Sequence, residues 1–487
     1  MGKLNWMTKA CAVFVLWTAT AIALPAQTYT VLHSFDGEDG SYSFAGLLQG
    51  ANGNFYGSTH NGGANDYGTV FEITSGGTLT TLHNFPKGDG AYPSGGLIQG
   101  TDRKFYGTAR EGGTESYGTV FEVNSSGKMA VLHSFEKTDG AEPYAGLIQA
   151  TDGNFYGTTY GGGANGAGTI FKITPSGTLT TLYSFCSKKP CSDGAFPEAE
   201  LIEGINGDFY GTTYGGGNPD CLRGGCGTVF KISHEGSFTT LHTFCTQSGC
   251  SDGFQPEAGL VLGADGNFYG TTNAGGGSYG GGTVFKITPS GELTTICMLC
   301  SNIDGPCGLG KFPRGTLVLG TDGNLYGTAS AGGPTCEGQG CGTIFQVTPG
   351  GELTLVHGFG GYPTDGQGPY AGLVQGTDGS FYGTTSGGGE GGCSSYGCGT
   401  IFNLSMGLSP FIKTNPSAAH IGSKVGILGT NLTGATSVTF NGTAAVFKVH
   451  SQTLIVAEVP SGATTGTIQV QLPGSTLSSN VLFNVLQ

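Results

Sequence analysis

Short runs of apolar and aromatic residues recur along the chain, and turn-forming residues bound each run. One well-formed unit starts at Gly146-Leu-Ile-Gln and continues through Phe155-Tyr-Gly-Thr-Thr and Gly168-Thr-Ile-Phe to Leu179-Thr-Thr-Leu-Tyr-Ser. Short apolar and β-branched runs separated by Gly, Asn, Asp or Pro predict β-strands. We label these four predicted strands a, b, c and d in chain order. The pattern therefore predicts an all-β chain built from four-stranded units.

The Phe-Tyr-Gly step of strand b marks the repeat. It recurs with spacings of 50 to 59 residues, at Phe55, Phe105, Phe155, Phe209, Phe268 and Phe381, with Leu325-Tyr326-Gly327 as a variant. Strand c likewise occurs seven times, but the first copy of strand d, residues 31–35, precedes the first strand a, and none follows the last strand c. We predict a seven-bladed β-propeller over residues 27–405, in which the N-terminal strand closes the last blade and limits exposed sheet edges.

The turn between strands a and b has its own signature. Asp152-Gly153 and its equivalents predict a two-residue hairpin, because glycine accepts the positive φ angle of such a turn. The second unit carries Asp102-Arg103 instead, so we expect that turn to differ or to be strained.

The pattern changes after residue 408. Alternating Val, Ile and Thr residues predict strands at 424–429, 437–440, 453–458 and 467–471, separated by Asn, Gly and Pro turns. We predict a small Ig-like β-sandwich over residues 409–487.

The N-terminus predicts export. Lys3 and Lys9 precede an apolar stretch at 10–23 that small residues follow, so residues 1–26 are predicted to be a signal peptide. We expect a secreted, cell-surface or periplasmic protein with no membrane insertion.

Composition and charge exclude some classes of binding partner. The chain has 95 Gly in 487 residues, but 29 Phe and 20 Tyr with only 11% charged residues argue against disorder. The formal net charge of −14 becomes −16 without Lys3 and Lys9. Nucleic acids and anionic membranes require a basic surface, so neither is expected as a partner.

Of the 14 cysteines, all but Cys11 lie outside the predicted signal. Twelve fall into local pairs that bracket a d–a connection or a b–c loop, and in an exported protein such pairs predict disulfides. The predicted pairs are Cys186–Cys191, Cys221–Cys226, Cys245–Cys250, Cys300–Cys307, Cys336–Cys341 and Cys393–Cys398. Zinc binding is the disfavoured alternative, because the pairs lack local histidines. Cys297 remains as a buried free thiol.

Residues present in every repeat are expected to serve the fold, so a single site should lie where the repeat is broken. The histidines of strand d and the Asp-Gly before strand a recur with the period, and we predict structural roles for both. Departures gather at the start of strand a, near the predicted channel mouth. The candidate ligand-binding residues are Glu142, Glu198, Glu200, Glu203, Glu257, Lys311 and Arg314. The alternative is ordinary drift among solvated positions.

Two family resemblances follow from these motifs. Pro410, Pro416, Gly422 and the segments at 425–431, 438–440 and 459–460 resemble an IPT/TIG domain. The Asp-Gly-Asn-Phe-Tyr-Gly and Gly-Thr-Val-Phe repeats over residues 29–402 resemble the GloVer-type repeat of bacterial exported choice-of-anchor proteins. The resemblance implies an architecture, and it implies no activity.

We favour a non-enzymatic binding protein whose propeller rim contacts a polysaccharide or an extracellular protein, with the Ig-like module as spacer or second contact. A glycoside hydrolase or lyase that uses the mouth carboxylates is the first alternative, and a purely structural surface protein is the second. No catalytic motif is recognisable, and we expect no cofactor and no metal site.

Overall fold

The computed structural model describes residues 27–221, 224–277, 280–300, 307–334, 336, 340–393 and 396–486. The predicted signal peptide lies outside the described residues. In the described part of the chain, no helix is long and apolar enough to cross a membrane.

Seven four-stranded antiparallel sheets occupy the repeat region, one for each predicted unit. Strand a spans Leu48–Gln49, Ile98–Gln99, Ile148–Gln149, Ile202–Glu203, Val261–Leu262, Val318–Leu319 and Val374–Gln375. Strand b spans Phe55–Thr59, Phe105–Ala109, Phe155–Thr159, Phe209–Thr213, Phe268–Thr272, Leu325–Ala329 and Phe381–Thr385. Strand c spans Thr69–Ile73, Thr119–Val123, Thr169–Ile173, Thr228–Ile232, Thr283–Ile287, Thr343–Val347 and Thr400–Ser405. Strand d spans Leu79–Asn84, Met129–Ser134, Leu179–Ser184, Phe238–Thr243, Leu293–Met298, Leu353–Gly358 and, for the seventh sheet, Thr28–Ser34. Two short pieces, Gly366–Gln367 and Gly387–Gly388, pair beside the seventh sheet, and a 3₁₀ turn covers Ser248–Cys250.

The N-terminal strand is the fourth strand of the seventh sheet. Thr28–Ser34 pairs antiparallel with Thr400–Ser405, with Val31 opposite Phe402. The most distant parts of the repeat region are therefore joined by a backbone ladder.

The Phe-Tyr-Gly motif packs each sheet against the next. Adjacent residues of a strand point to opposite faces, so the Tyr of one sheet meets the Phe of the following sheet. The ring centroids of Tyr106 and Phe155 lie 4.1 Å apart, and those of Tyr382 and Phe55, from the seventh and first sheets, lie 3.9 Å apart. The third residue of the motif is glycine because a larger residue would collide with strand c. A Cβ at Gly157, for example, would lie 2.7 Å from the Phe171 ring.

The a–b hairpins share one backbone conformation. The equivalent glycines have positive φ, such as +81° at Gly153, and Arg103 adopts +69° in the second sheet. That turn therefore keeps its shape and places a residue with a side chain in a strained backbone region.

The periodic histidines and aspartates pair with each other. Each strand-d histidine contacts the Asp of the following d–a connection, as in His33–Asp39 at 2.6 Å and His133–Asp139 at 2.8 Å. Asp139 also accepts a hydrogen bond from the backbone N–H of Glu136, which agrees with the predicted turn role. The connection from the fifth to the sixth sheet lacks both partners, since Cys297 replaces the histidine and Leu309 replaces the Asp.

All six predicted cysteine pairs form disulfides. They tie the b–c loops and d–a connections, which lie at the same end of the sheets. Cys297 is a free cysteine, and burial raises the pKa of its thiol to about 11, so the thiol stays protonated at neutral pH.

The C-terminal region is a sandwich of two four-stranded sheets with a short parallel pair. Its strands are Lys413–Asn415, Ala418–His420, Lys424–Leu428, Ser437–Phe440, Thr443–Ala444, Phe447–Val449, Leu454–Glu458, Ile468–Leu472, Ser475–Ser478 and Asn484–Leu486, with a 3₁₀ turn at Leu432–Gly434. Alternating residues such as Val425, Ile427, Ile468 and Val470 fill its core.

This sandwich lies against the a–b turns, at the opposite end of the sheets from the disulfides. Thr453 Oγ1 donates to the carbonyl of Ala51 at 3.0 Å, and Asn415 Nδ2 donates to that of Gln99 at 2.8 Å. Thr430 makes a similar bond to Thr377. The end of the sheets that carries the disulfide-tied loops is therefore left uncovered by the sandwich.

Candidate functional site

Seven side chains at the uncovered end define what we call the mouth. Each stands three residues before the leucine that directly precedes strand a, and together they are Phe44, Ser94, Tyr144, Glu198, Glu257, Arg314 and Tyr370. Contacts link four of them, Phe44, Tyr370, Arg314 and Glu257. The rings of Phe44 and Tyr370 lie 5.2 Å apart, and the Arg314 guanidinium lies 5.0 Å from the centre of the Tyr370 ring. Side chains from the end of strand b, such as Arg110 and Asn273, extend the same surface.

Glu257 is held by two neighbours. Its Oε2 lies 3.0 Å from a terminal nitrogen of Arg314, and its Oε1 accepts a hydrogen bond from Asn273 Nδ2. Burial raises the pKa of Glu257, and the Arg314 guanidinium opposes that rise. The ion pair therefore favours the charged carboxylate.

Glu198 has no such support. It makes no hydrogen bond or ion pair with any residue in the described part of the chain. Burial and the neighbouring Glu257 raise the pKa of Glu198 to about 8, although Arg314 and Arg110 act in the opposite direction. At neutral pH Glu198 therefore keeps its proton, next to the Glu257 carboxyl group that is paired with Arg314.

A second arginine also acts on Glu198. Arg110, from the second sheet, pairs with Glu142 at 3.6 Å, and its guanidinium lies 4.8 Å from the centre of the Tyr144 ring. Arg110 and Arg314 share one more property, since the Nε of each is buried without a hydrogen-bond partner in the described structure. Asn273 Oδ1 is buried and unpartnered in the same way.

Glu200 reaches deeper than the mouth. At its position the other sheets have Gly46, Gly96, Gly146, Gly259, Thr316 and Gly372. Its carboxyl group accepts a hydrogen bond from the backbone N–H of Gly96, and burial raises its pKa. A Cβ at Gly146 would clash with its Oε1 at 2.4 Å, so Glu200 extends from the fourth sheet to the strands of the second and third.

Two candidates lie away from the mouth. Glu203 stands at the opposite end of strand a, where it accepts hydrogen bonds from the backbone and hydroxyl of Thr151 and lies 3.5 Å from His234. It takes the place of Gln149 and Gln99, which clamp neighbouring sheets in the same way. The sequence interpretation was wrong for Glu203, because it stands five residues after Glu198 and so lies at the far edge of the sheet.

Lys311 is also displaced from the mouth. It is only 4% exposed and its ammonium lies 5.6 Å from the centre of the Phe312 ring. Its side chain packs beside Gly281. The expectation that Lys311 faces a ligand at the mouth was therefore wrong.

Sequence comparison of strand a missed Arg110 and Asn273. Both stand directly after strand b, where other sheets carry His60, Tyr160, Tyr214, Ser330 and Ser386. The same search for broken repeats, applied to the end of strand b, could have found them.

One cysteine cluster could hold a metal by distance alone. Within the described ranges, the ligand atoms of Cys221, Cys226 and Cys245 lie within 4.8 Å of one another. All three sulfurs belong to disulfides, which leaves no thiolate to bind an ion.

Solved structures resemble the chain in fold. A fungal alcohol oxidase of the AA5 family, in complex with copper, aligns with a TM-score of 0.53 and 13% identity over 94% of this chain and 99% of that chain. The extracellular domain of a proposed hybrid two-component system from B. thetaiotaomicron aligns with a TM-score of 0.48 and 10% identity over 95% of this chain. The present chain spans 59% of the length of that domain. No curated protein matches the sequence.

Family models cover almost the whole chain. The Gloeobacter/Verrucomicrobia repeat matches residues 18–221 and 220–446, and the IPT/TIG domain matches residues 409–485. Both agree with the resemblances drawn from the motifs. The chain therefore belongs to the Gloeobacter/Verrucomicrobia repeat family and carries an IPT/TIG domain at its C-terminal end.

Proposed function

We propose that this chain is an exported, non-enzymatic binding protein whose sheets close into a seven-bladed propeller and whose mouth binds a polysaccharide. Closure is supported by the ladder between Thr28–Ser34 and Thr400–Ser405, and by the hydrogen bond from Thr384 of the seventh sheet to Ala45 of the first. Export is supported by the six disulfides, which persist in oxidising compartments.

The unsatisfied polar groups of the mouth carry the proposal. Buried donors on Arg110 and Arg314, the free carboxyl of Glu198 and the unpartnered Oδ1 of Asn273 belong to one cluster around Glu198 and Glu257. An unpaired buried polar group costs about 1–3 kcal/mol. A ligand with many hydroxyl groups would relieve that cost, since each hydroxyl both donates and accepts.

Aromatic side chains of the mouth supply the apolar contacts that a sugar-binding site also needs. Phe44, Tyr144 and Tyr370 stand in the mouth, and Tyr160 and Tyr214 follow the adjacent b strands. Tyr160 also contacts Phe196, with ring centroids 5.0 Å apart. Such rings provide apolar faces for the C–H surfaces of sugars, next to polar groups that fix orientation. The IPT/TIG domain, at the other end of the sheets, would act as a spacer or second contact.

Glycan binding by the mature protein tests this proposal. We expect saturable binding to at least one polysaccharide on a broad glycan array, and about tenfold or greater weakening in Glu198→Ala and in Arg314→Ala. Glu235→Ala, an exposed carboxylate on the opposite end of the sheets, is the matched control and should bind like the wild type. Binding that both mouth variants leave intact would contradict the assignment of the site.

One observation favours glycoside cleavage as a second function. A protonated Glu198 beside Glu257, whose carboxyl group is paired with Arg314, is the kind of carboxyl pair that acid-assisted glycosidic cleavage uses. In that case Glu198 would protonate the leaving oxygen, and Glu257 would act as base or nucleophile.

The test of cleavage uses the same polysaccharides. If the protein is a hydrolase or lyase, the wild type should release new reducing ends, and Glu198→Gln should lower the rate at least about a hundredfold while glycan binding persists. Absence of product from every polysaccharide that the wild type binds would reject the enzyme and leave the binding function in place.

A further inference from the structure

We infer that the mouth selects an anionic sugar, with the carboxylate of a uronic acid residue bound between Arg110 and Arg314. This inference rests on the proposed polysaccharide-binding function and specifies its ligand class. It is supported by the way in which the two arginines are held in place and by the N–H donor that each of them leaves without an acceptor.

The two arginines form matching units on different sheets. Each guanidinium lies over a tyrosine of the mouth, Arg110 over Tyr144 and Arg314 over Tyr370. Each also contacts one glutamate through a terminal nitrogen. Stacking and ion pairing together fix the plane of the guanidinium, so its remaining N–H groups have defined directions.

The free donors suit a carboxylate. In both residues the Nε–H is buried and has no acceptor in the described structure, whereas the side chain as a whole is 31% exposed in Arg110 and 39% exposed in Arg314 and so stays accessible to a ligand. Arginine binds a carboxylate through paired N–H donors with matching geometry, and such charge-assisted bonds are stronger than those to a neutral hydroxyl. A uronate would therefore gain more at this position than the corresponding neutral sugar.

The charge of the mouth permits an anion although the whole chain is acidic. Glu142 and Glu257 balance the two arginines, and Glu198 carries a proton at neutral pH. His60, stacked on Tyr92, is neutral because burial and Arg110 lower its pKa to about 4. A ligand carboxylate thus meets no uncompensated negative charge, and the Glu198 O–H is one more donor.

Pairs of polymers that differ only in charge test this inference. We would measure wild-type binding to polygalacturonate and polymannuronate, and to the carboxyl-reduced form of each, in calcium-free buffer. We expect about tenfold or tighter binding to at least one uronate than to its reduced form. Arg110→Gln and Arg314→Gln should each abolish most of that preference, whereas Lys128→Gln, which removes a positive charge from an exposed c–d turn, should preserve it.

A pH series adds a readout that does not depend on the arginine variants. The charged groups that act on Glu198 are Glu257, Arg314 and Arg110, and its own charge acts on Tyr144, Tyr160 and Tyr214. Ionisation of Glu198 near pH 8 would place a negative charge against the ligand carboxylate. The uronate preference should therefore fall between pH 6.5 and 9.5 in the wild type, and it should stay constant in Glu198→Gln.

The outcomes separate the two proposals. Equal binding of a uronate and its reduced form, at the mouth, would overturn the anion inference and leave polysaccharide binding intact. Binding to neutral glycans with no binding to either uronate would do the same. Failure to bind any glycan would overturn both.

Discussion

Glu198→Gln is expected to stabilise the protein at pH 9 and to change its stability little at pH 5. Burial and Glu257 raise the pKa of Glu198 to about 8, whereas an unfolded glutamate titrates near its ordinary value of 4.5. Between these values the folded state binds a proton that the unfolded state has lost, so the free energy of unfolding falls as pH rises through this window. Glutamine keeps the shape of the protonated side chain and cannot ionise. The gain at pH 9 should be roughly 2–4 kcal/mol.

Urea denaturation of both proteins at pH 5, 7 and 9 measures this gain. The relevant quantity is the difference between the two free energies of unfolding, because other buried carboxyl groups, including Glu200 and Glu257, titrate in both proteins. Glu235→Gln is the control, since Glu235 is fully exposed and its lowered pKa leaves it ionised from pH 5 upward. A constant difference between the wild type and Glu198→Gln across this range would show that Glu198 is ionised in the native mouth at neutral pH.

Removal of residues 27–35 should have the largest effect on folding. The deleted strand pairs along its length with Thr400–Ser405, and its Tyr29 ring stacks on His357 at 3.9 Å. Phe35 is fully buried between the seventh and first sheets. Loss of one buried phenylalanine costs about 3–5 kcal/mol, and the ladder is lost as well. We expect the free energy of unfolding to fall by about 5 kcal/mol or more, with loss of cooperative unfolding.

Adding the missing strand back as a separate peptide distinguishes a role in closing the propeller from a general loss of stability. A synthetic peptide of residues 27–36 should raise the melting temperature of the truncated protein in a saturable manner, and a scrambled peptide should not. If the truncated protein melts cooperatively at the wild-type temperature, the N-terminal strand does not close the propeller.

The search for broken repeats found the central part of the candidate site. Glu198, Glu257 and Arg314 differ from their equivalents, and the structure brings them to one opening. The same signal also selected Glu203 and Lys311, which serve sheet packing and the protein interior. A departure from the repeat shows that a position is special, but the direction of its side chain depends on where along the strand it stands.

The sequence by itself determined the local structure of this protein. Strand lengths, hairpin turns, the number of units and the six cysteine pairs all depend on residues close together in the chain, so their periodicity was readable. The tertiary structure decided which distant residues meet. It stacked the ring of Tyr382 on that of Phe55, and it placed Arg110 and Arg314 around one carboxyl group although about 200 residues separate the two arginines. The physical reason is that the curvature and packing of successive sheets bring the ends of strands a and b together, and no local pattern encodes that convergence.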